Sequence, residues 1–191
     1  MNNPRTYRIN EIFRSLQGEG FHAGCPAVCV RFAGCNLACP FCDTDFSSFE
    51  TLNADAIVGR CTGLLNNMPA GLLVLTGGEP SLQTDDELVT SLHQAGFYVC
   101  VETNGTHPLP EGIDWITCSP KKAPVVLTRA DELKVLYQGN DVENLYNLIP
   151  AEHHFLQPCA PDISPRATAE YVLRHPHWRL SLQQHKILQI P

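Results

Sequence analysis

Short runs of hydrophobic residues recur along the chain, and most of them end in a loop that carries Gly, Pro or Asn. Their length and their content of Val, Leu, Phe and Tyr are typical of buried strands. Six runs predict strands: AVCVRFAG (27–34), LLVLTGG (72–78), FYVCVETNG (97–105), IDWITCSP (113–120), ELKVLY (132–137) and HHFLQP (153–158).

Helical patterns separate some of these runs. Asn53 is a capping residue at the start of one pattern, and Pro165 lies just inside the start of another. Acidic residues fill the first turn of a third pattern, where they suit the helix dipole, and Gly96 ends it. Four helices are predicted, at residues 53–65, 84–96, 141–148 and 164–175.

The alternation of strands with helices favours a parallel α/β sheet that is either open or curled towards a barrel. In such a sheet, functional residues gather in loops at the carboxyl ends of the strands, and here the polar, Gly-rich and Cys-rich segments follow the predicted strands. A chain of 191 residues can form one domain with a core of its own, so residues 1–191 are expected to be a single domain.

The charge and the ends of the chain narrow the possible partners. The formal net charge is −7, and no run of Lys or Arg stands out. Since such a surface repels phosphate backbones, we expect no binding to nucleic acid and a small-molecule substrate instead. The amino terminus lacks the apolar stretch of a signal peptide, and no apolar run approaches the roughly 20 residues of a membrane span. A cytoplasmic protein that does not enter a membrane is expected.

Nine cysteines occur, an odd number, and three of them lie in the segment CNLACPFC at 35–42. In a reducing cytosol, such a cluster indicates metal binding rather than disulfides. The thiolates of Cys35, Cys39 and Cys42 can each bind one iron of a cubane cluster, which leaves the fourth iron open.

Zinc is the alternative metal for this loop. A structural zinc site would need a fourth ligand, and the nearest candidates are His22, Cys25 and Cys29. Cys25 and Cys29 flank or lie in a predicted strand and are poorly placed to turn back onto the loop. An iron–sulfur cluster is therefore favoured, with a zinc loop or three unconnected thiols as the alternative.

The segment LTGGEP (75–80) ends a predicted strand with two glycines and a carboxylate. Glycines permit a close backbone approach, and Glu79 can pair with an ammonium group. The cysteine spacing, Phe41 before the third cysteine and this GGE segment, in that order, resemble the radical S-adenosylmethionine (SAM) superfamily. The resemblance implies a [4Fe–4S] cluster on the three cysteines and SAM bound at its open iron.

Further segments resemble the 7-carboxy-7-deazaguanine synthase family over nearly the whole chain: SLQGEG (15–20), RFAGCNLACPFCDTDF (31–46), TGGEP (76–80), ETNG (102–105), SPK (119–121) and the tail RLSLQQHKILQIP (179–191). The resemblance implies that 6-carboxy-5,6,7,8-tetrahydropterin is converted to 7-carboxy-7-deazaguanine with loss of ammonia, and that SAM is regenerated. It also implies Mg²⁺, an electron donor of the flavodoxin or ferredoxin type, and a homodimer. Because the chain is shorter than the about 250 residues of a complete barrel, we expect a partial barrel of about six parallel strands with reduced helices. The tail or a second subunit would complete its wall.

The resemblance also assigns residues to the pterin and to Mg²⁺. Arg31 would pair with the substrate carboxylate, a task that its planar guanidinium suits. Thr44 would ligate Mg²⁺, an ion that prefers oxygen donors. The full pterin-binding set is Leu16, Gln17, Gly18, Arg31, Thr76, His185 and the terminal carboxylate of Pro191.

A second set would face SAM: Phe41, Cys42, Asp43, Gly78, Glu79, Glu102, Ser119, Pro120, Lys121, Gln157, Pro158, Cys159 and Ala160. Cys159 and Ala160 differ from the residues expected there, so contacts from their backbone groups are expected. Asn104 would contact SAM or form a turn. Asp43 and Asp45 would support the metal ligands or cap the loop.

Two other functions fit parts of this pattern. A short radical SAM activase, which installs a glycyl radical on a large protein, shares the cysteine loop but needs neither Arg31 nor the tail carboxylate. A non-enzymatic iron–sulfur or zinc module for electron transfer usually has four protein thiolates, whereas only three are grouped here.

Overall fold

The hydrophobic runs fold into neighbouring strands of one sheet. The computed structural model describes residues 4–42, 44–45, 47–121, 124–159 and 163–191. Within them, nine strands form the sheet: β1 (Tyr7–Leu16), β2 (Pro26–Phe32), β3 (Glu50–Leu52), β4 (Leu72–Gly77), β5 (Tyr98–Thr103), β6 (Trp115–Cys118), β7 (Ala130–Tyr137), β8 (Ala151–Pro158) and β9 (Arg179–Leu180). Their order across the sheet is β3-β1-β2-β4-β5-β6-β7-β8-β9.

The seven strands from β2 across the sheet to β9 are parallel to one another. On the other side of β2, β1 is antiparallel to both β2 and β3. All six predicted strands are present and form the parallel part of the sheet together with β9. The expected partial α/β barrel with about six parallel strands is confirmed. The other three strands escaped prediction because β1 interleaves charged and apolar residues, while β3 and β9 have only three and two residues.

Four helices lie in the described ranges: α1 (Ala54–Gly63), α2 (Asp86–Gln94), α3 (Pro165–Arg174) and α4 (Gln184–Leu188). The first three confirm predicted helices, and the side chains of Asn53, Asp85 and Ser164 cap them by accepting from backbone N–H groups of the first turn. The five-residue α4 was not predicted. None of these helices has the length and hydrophobicity needed to cross a membrane.

Two predicted helices need correction. The second begins at Asp86 rather than at residue 84, because Asp85 provides the cap and the Thr84 hydroxyl donates to the Pro80 carbonyl at 2.9 Å. The helix predicted at 141–148 is wrong, since only a short 3₁₀ turn forms there, at Glu143–Leu145. The Asp141 side chain accepts from the Glu143 N–H at 3.1 Å, and such a local bond competes with a helix.

Alternate side chains of the strands point to opposite faces of the sheet. One face packs against the helices and holds the main core, in which Phe32 and Leu75 are fully buried. The other face forms the interior of the partial barrel. Cys29, Val74 and Cys100 make a small apolar layer in this interior, and polar side chains follow at the carboxyl ends of the strands.

Candidate active site

A cavity of about 510 Å³ opens in the barrel interior at the carboxyl ends of the strands, a volume typical of small-molecule sites. The predicted residues that line it are Leu16, Gln17, Gly18, Arg31, Cys35, Cys39, Phe41, Cys42, Thr44, Asp45, Thr76, Gly78, Glu79, Glu102, Asn104, Ser119, Lys121, Gln157, Pro158, Cys159, His185 and Pro191. Pro120 does not line it, and Asp43 and Ala160 lie outside the described residues. Segments distant in sequence therefore meet at one place.

The cysteine loop is anchored to the strand end that carries the two glycines. The backbone N–H of Gly78 donates to the Phe32 carbonyl at 3.0 Å, and that of Glu79 donates to the Gly34 carbonyl at 2.9 Å. A Cβ atom added to Gly78 would overlap the Gly34 carbonyl group. Glycine is therefore required at this position by the close contact with the residue just before Cys35.

Cys35, Cys39 and Cys42 all line the cavity. No three His, Cys, Asp or Glu side chains of the described residues converge on a point where one metal ion would bind them. Cys29 lines the cavity from β2, and Cys25 is exposed. Three thiolates that face one cavity from separate positions suit a cubane cluster, in which each thiolate binds a different iron.

Glu79 is a fixed, buried carboxylate at the edge of the cavity. It is 1% exposed. Its Oε1 accepts from the hydroxyls of Ser81 and Thr103, each at 2.6 Å, and its Oε2 accepts from the Asn104 N–H at 2.7 Å. A carboxylate has about four acceptor sites, so Oε2 can accept from one more donor. The structure thus preorganises a negative charge that suits a ligand ammonium.

A buried cluster of ion pairs lies on the other side of the cavity. The Lys134 Nζ lies 2.6 Å from Glu19 Oε2 and 2.7 Å from Glu102 Oε2. The side-chain amide of Gln17 donates to Glu102 at 3.2 Å, and that of Gln183 donates to Glu19 at 2.9 Å. The cluster joins the β1–β2 loop, β5, β7 and the tail, and all five residues line the cavity.

The charges in this cluster depend on one another. Burial disfavours the ionised form of Glu19, but the charge and hydrogen bond of Lys134 outweigh it and lower the pKa of Glu19 to about 2. Burial, reinforced by the charge of Glu19 and opposed by Lys134, raises the pKa of Glu102. Burial would lower the pKa of Lys134, yet the facing carboxylates raise it, so Lys134 stays a cation.

Two further ionisable side chains lie beside the cluster, and of these Glu132 is buried and Lys121 is partly buried. Glu132 Oε2 accepts from the Phe21 N–H at 2.8 Å, while its Oε1 has no hydrogen-bond partner among the described residues. Burial raises the pKa of Glu132 to about 7, despite the nearby Lys134. Lys121 donates to the Ser119 hydroxyl at 2.6 Å, and burial lowers its pKa.

Arg31 extends from β2 along the cavity wall. Its Nε lies 2.7 Å from Glu11 Oε1, and its guanidinium lies over the Phe13 ring, 5.4 Å from the centroid. The side chain is a quarter exposed, with a relative accessibility of 25%. Glu11 and Phe13 therefore hold a cation in place at the cavity while leaving part of it open.

The tail folds back onto the end of β1. The Ser15 hydroxyl donates to an oxygen of Pro191 at 2.5 Å, and the Gln184 N–H donates to the Gly18 carbonyl at 2.9 Å. A Cβ atom on Gly18 would overlap the ring of His185. The last residues of the chain are thus packed against the segment that was predicted to bind the same ligand.

The sequence patterns did not single out Glu19, Glu132, Lys134 or Gln183. Glu132 and Lys134 are two residues apart in ELKVLY and point to the same face of a strand. Charged residues inside an otherwise apolar strand could have indicated a buried ion-pair site, because Lys and Glu are rarely buried without partners. Glu19 and Gln183 lie in loops and carried no comparable signal.

Comparison with known proteins agrees with the geometry. Residues 29–121 match the family model of the Radical SAM superfamily. The 7-carboxy-7-deazaguanine synthase of Bacteroides thetaiotaomicron is 54% identical over 96% of this chain and 98% of its own length. The synthase of the same name from Burkholderia multivorans is 45% identical over 97% of this chain and 100% of its own. The crystal structure of QueE from Escherichia coli matches with a TM-score of 0.80 and 29% identity, covering 94% of this chain and 95% of that one.

Replacing Gly78 by Ala is expected to displace the cysteine loop, because the added Cβ overlaps Gly34. Such overpacking costs about 1–3 kcal/mol. Less iron should therefore be retained per chain after anaerobic reconstitution, as measured by a colorimetric iron assay. Gly59→Ala is the matched control, since its added Cβ meets nothing within 4 Å on an exposed turn of α1. Equal iron contents in the two variants would contradict the expectation.

Glu132 is expected to couple stability to pH. Its pKa rises from 4.5 to about 7 on folding, so its stabilising contribution is complete below pH 4.5 and is lost as the pH rises to about 7. This loss amounts to about 3 kcal/mol. Across that pH range, the difference in unfolding free energy between wild type and Glu132→Gln should therefore change by about this amount in urea titrations. The exposed Glu111→Gln is the control, and the same pH trend in both variants would rule the coupling out.

Proposed function

This chain belongs to the 7-carboxy-7-deazaguanine synthase family of the radical SAM superfamily, and on that basis we propose how the residues of its cavity take part in the reaction. The chain is a radical SAM lyase of deazapurine biosynthesis, which contracts the ring of 6-carboxy-5,6,7,8-tetrahydropterin to give 7-carboxy-7-deazaguanine with loss of ammonia. The observation that carries this conclusion is that the cysteine loop, the Gly78–Glu79 loop and the tail line one cavity.

The cysteine loop and the strand ends beside it form the cofactor side. A [4Fe–4S] cluster and SAM held there would supply the radical chemistry that removes a hydrogen atom from the substrate. Cys35, Cys39 and Cys42 would hold three irons of the cluster, and Glu79 would accept from the SAM ammonium through Oε2. The other residues proposed to hold SAM are Phe41, Asp43, Gly78, Glu102, Ser119, Pro120, Lys121, Gln157, Pro158, Cys159 and Ala160.

The opposite side of the cavity would hold the pterin. Glu11 binds Arg31 through Nε, which leaves the two terminal nitrogens for a bidentate contact with the substrate carboxylate. Leu16–Gly18, Thr76, His185 and the terminal carboxylate of Pro191 would contact the rest of the substrate. Because a loop and the tail cover this side, they would also exclude water from the reacting carbon.

Thr44 would ligate Mg²⁺ between the two sides. It lines the cavity two residues after Cys42, and Mg²⁺ usually combines one or two protein oxygens with water and substrate oxygens. Asp45 accepts from the Ser47 N–H at 2.9 Å, which supports a role in capping the loop. Removal of Mg²⁺ by a chelator should accordingly weaken pterin binding.

The assembly and the location are further parts of the proposal. A single radical SAM domain over residues 1–191 is supported by the continuous sheet, and a cytoplasmic location by nine cysteines that form no disulfide in the described structure. Exposed Leu173, Ile187 and Leu188 on α3 and α4 support a homodimer. The reducing electron would come from a donor of the flavodoxin or ferredoxin type, and the acidic chain would bind no nucleic acid.

Anaerobic turnover by the reconstituted protein tests this function. With the pterin, SAM, a reductant and Mg²⁺, mass spectrometry should detect 7-carboxy-7-deazaguanine in many equivalents per SAM consumed. Formation of 5′-deoxyadenosine alone would contradict the substrate and favour an activase of a large protein partner.

Deletion of Pro191 is expected to raise the KM for the pterin about tenfold or more, because the carboxylate that Ser15 holds at the cavity is displaced. The KM for SAM should not change. Steady-state kinetics of the untagged deletion variant measure both values. An amino-terminal tag is the control, and a wild-type pterin KM in the deletion variant would contradict the proposed role of the tail.

A further inference from the structure

The loop between β1 and β2, residues 17–25, lies across the interior of the partial barrel. The Gly20 N–H donates to the Ser181 hydroxyl at 3.0 Å, and the Phe21 N–H donates to Glu132 at 2.8 Å. The Phe21 ring stacks on His153 with 4.3 Å between centroids. The middle of the loop is thus seated on the barrel wall, away from the cavity.

The first residues of the loop reach the cavity. Gln17 is paired there with Cys25 through the backbone at 2.8 Å, and side-chain contacts add to this bond. Glu19 accepts from Lys134 at 2.6 Å and from Gln183 at 2.9 Å. Gln17 donates to Glu102 at 3.2 Å, and Glu102 in turn accepts from Lys134 at 2.7 Å. Lys134 is therefore the common partner of the two carboxylates that hold the beginning of the loop.

Burial makes this arrangement sensitive to the loss of one charge. The Lys134 side chain is 3% exposed, and those of Glu19 and Glu102 are 16% and 18% exposed. Without the ammonium, two carboxylates would face each other in a buried place, with Glu132 as a third acidic group nearby. Removing one partner of a buried pair is strongly destabilising for the groups left behind.

We propose that Lys134 is a positioning residue, whose ammonium holds Glu19 beside Glu102 and thereby fixes Leu16–Gly18 at the substrate side of the cavity. Lys134 acts through the loop. The proposal rests on the proposed function in one respect, namely that Leu16–Gly18 contact the pterin. The placement of the loop itself can be measured without any substrate.

Lys134→Met in the reconstituted holoenzyme tests the proposal in two ways. Hydrogen exchange of the amides in residues 17–24 should become at least about tenfold faster, because the loop loses the ion pair that anchors Glu19. The KM for the pterin should rise by about 30-fold or more. SAM affinity, read from the spectrum of the reduced cluster, should fall by a smaller factor, because Glu102 is the one direct partner of Lys134 in the described structure that is also proposed to hold SAM. Lys134→Arg keeps the charge and should recover most of both effects.

Two further variants separate positioning from general stability. Val135→Ala is the matched control, because Val135 is the next residue of β7 and its side chain is buried in the main core on the opposite face. It should lower the melting temperature and leave the loop exchange and the pterin KM near wild-type values. Glu19→Gln keeps the size of the side chain, removes the loop's own charge, and should free the loop even if Lys134→Met fails to fold.

Each outcome decides a separate point. Unchanged exchange of residues 17–24 in Lys134→Met, or in Glu19→Gln if the former does not fold, would overturn the proposal. A rise in KM no larger than in Val135→Ala would also overturn it, since the effect would then be one of stability. If the wild-type protein converts no pterin, the proposed function fails, while faster exchange in Lys134→Met would still support the positioning of the loop.

Discussion

The parallel strands are too few to close into a complete barrel, so one side of the barrel interior must be covered by other segments. The rest of this structure depends on this constraint. The parallel strands end at β9, which has only two residues, and the antiparallel β1 and β3 continue the other side. The interior face is therefore covered by the β1–β2 loop and the tail. Because that face is polar at the carboxyl ends of the strands, contacts such as Lys134–Glu19 and Ser15–Pro191 hold the cover in place.

A polar interior is stable only when its charges have partners. Lys134 faces two carboxylates, and Glu79 accepts from hydroxyl and backbone donors on three sides. Among the residues that the structure describes, one oxygen of Glu132 has no hydrogen-bond partner. Burial raises the pKa of Glu132 to about 7, so near neutral pH it is partly protonated and the excess of negative charge falls. The result is a cavity with fixed charges and little freedom to rearrange, which suits a reaction whose radical must be kept from water and from mobile side chains.

The sequence predicts those parts of the fold that local patterns determine. Central parallel strands are buried on both faces, so continuous apolar runs in the sequence predict them. In contrast, β1 is half-exposed, and its apolar residues are interrupted by charged ones. The candidate site residues were found through compact motifs such as CNLACPFC and TGGEP, and the structure brings most of them to one cavity. The ion pairs were not predictable, because Lys134 and Glu19 are 115 residues apart and nothing local specifies their contact. At residues 141–148 a local pattern was misleading: it favours a helix, but the Asp141 side chain accepts a hydrogen bond from the Glu143 N–H that competes with the helix.

The two sides of the cavity are held by different kinds of interaction. On the proposed cofactor side, backbone hydrogen bonds and the contact of Gly78 with Gly34 join the cysteine loop directly to a strand end. On the proposed substrate side, a loop and the tail contact each other through the Gln184 N–H and the Gly18 carbonyl, and they reach the sheet through side chains such as Glu19. Backbone contacts at strand ends tolerate little change, whereas a covering loop and tail can shift without unfolding the sheet. The fit of the proposed substrate side therefore depends on contacts between distant parts of the chain, such as Lys134–Glu19, whereas the cysteine loop is fixed by an adjacent strand end.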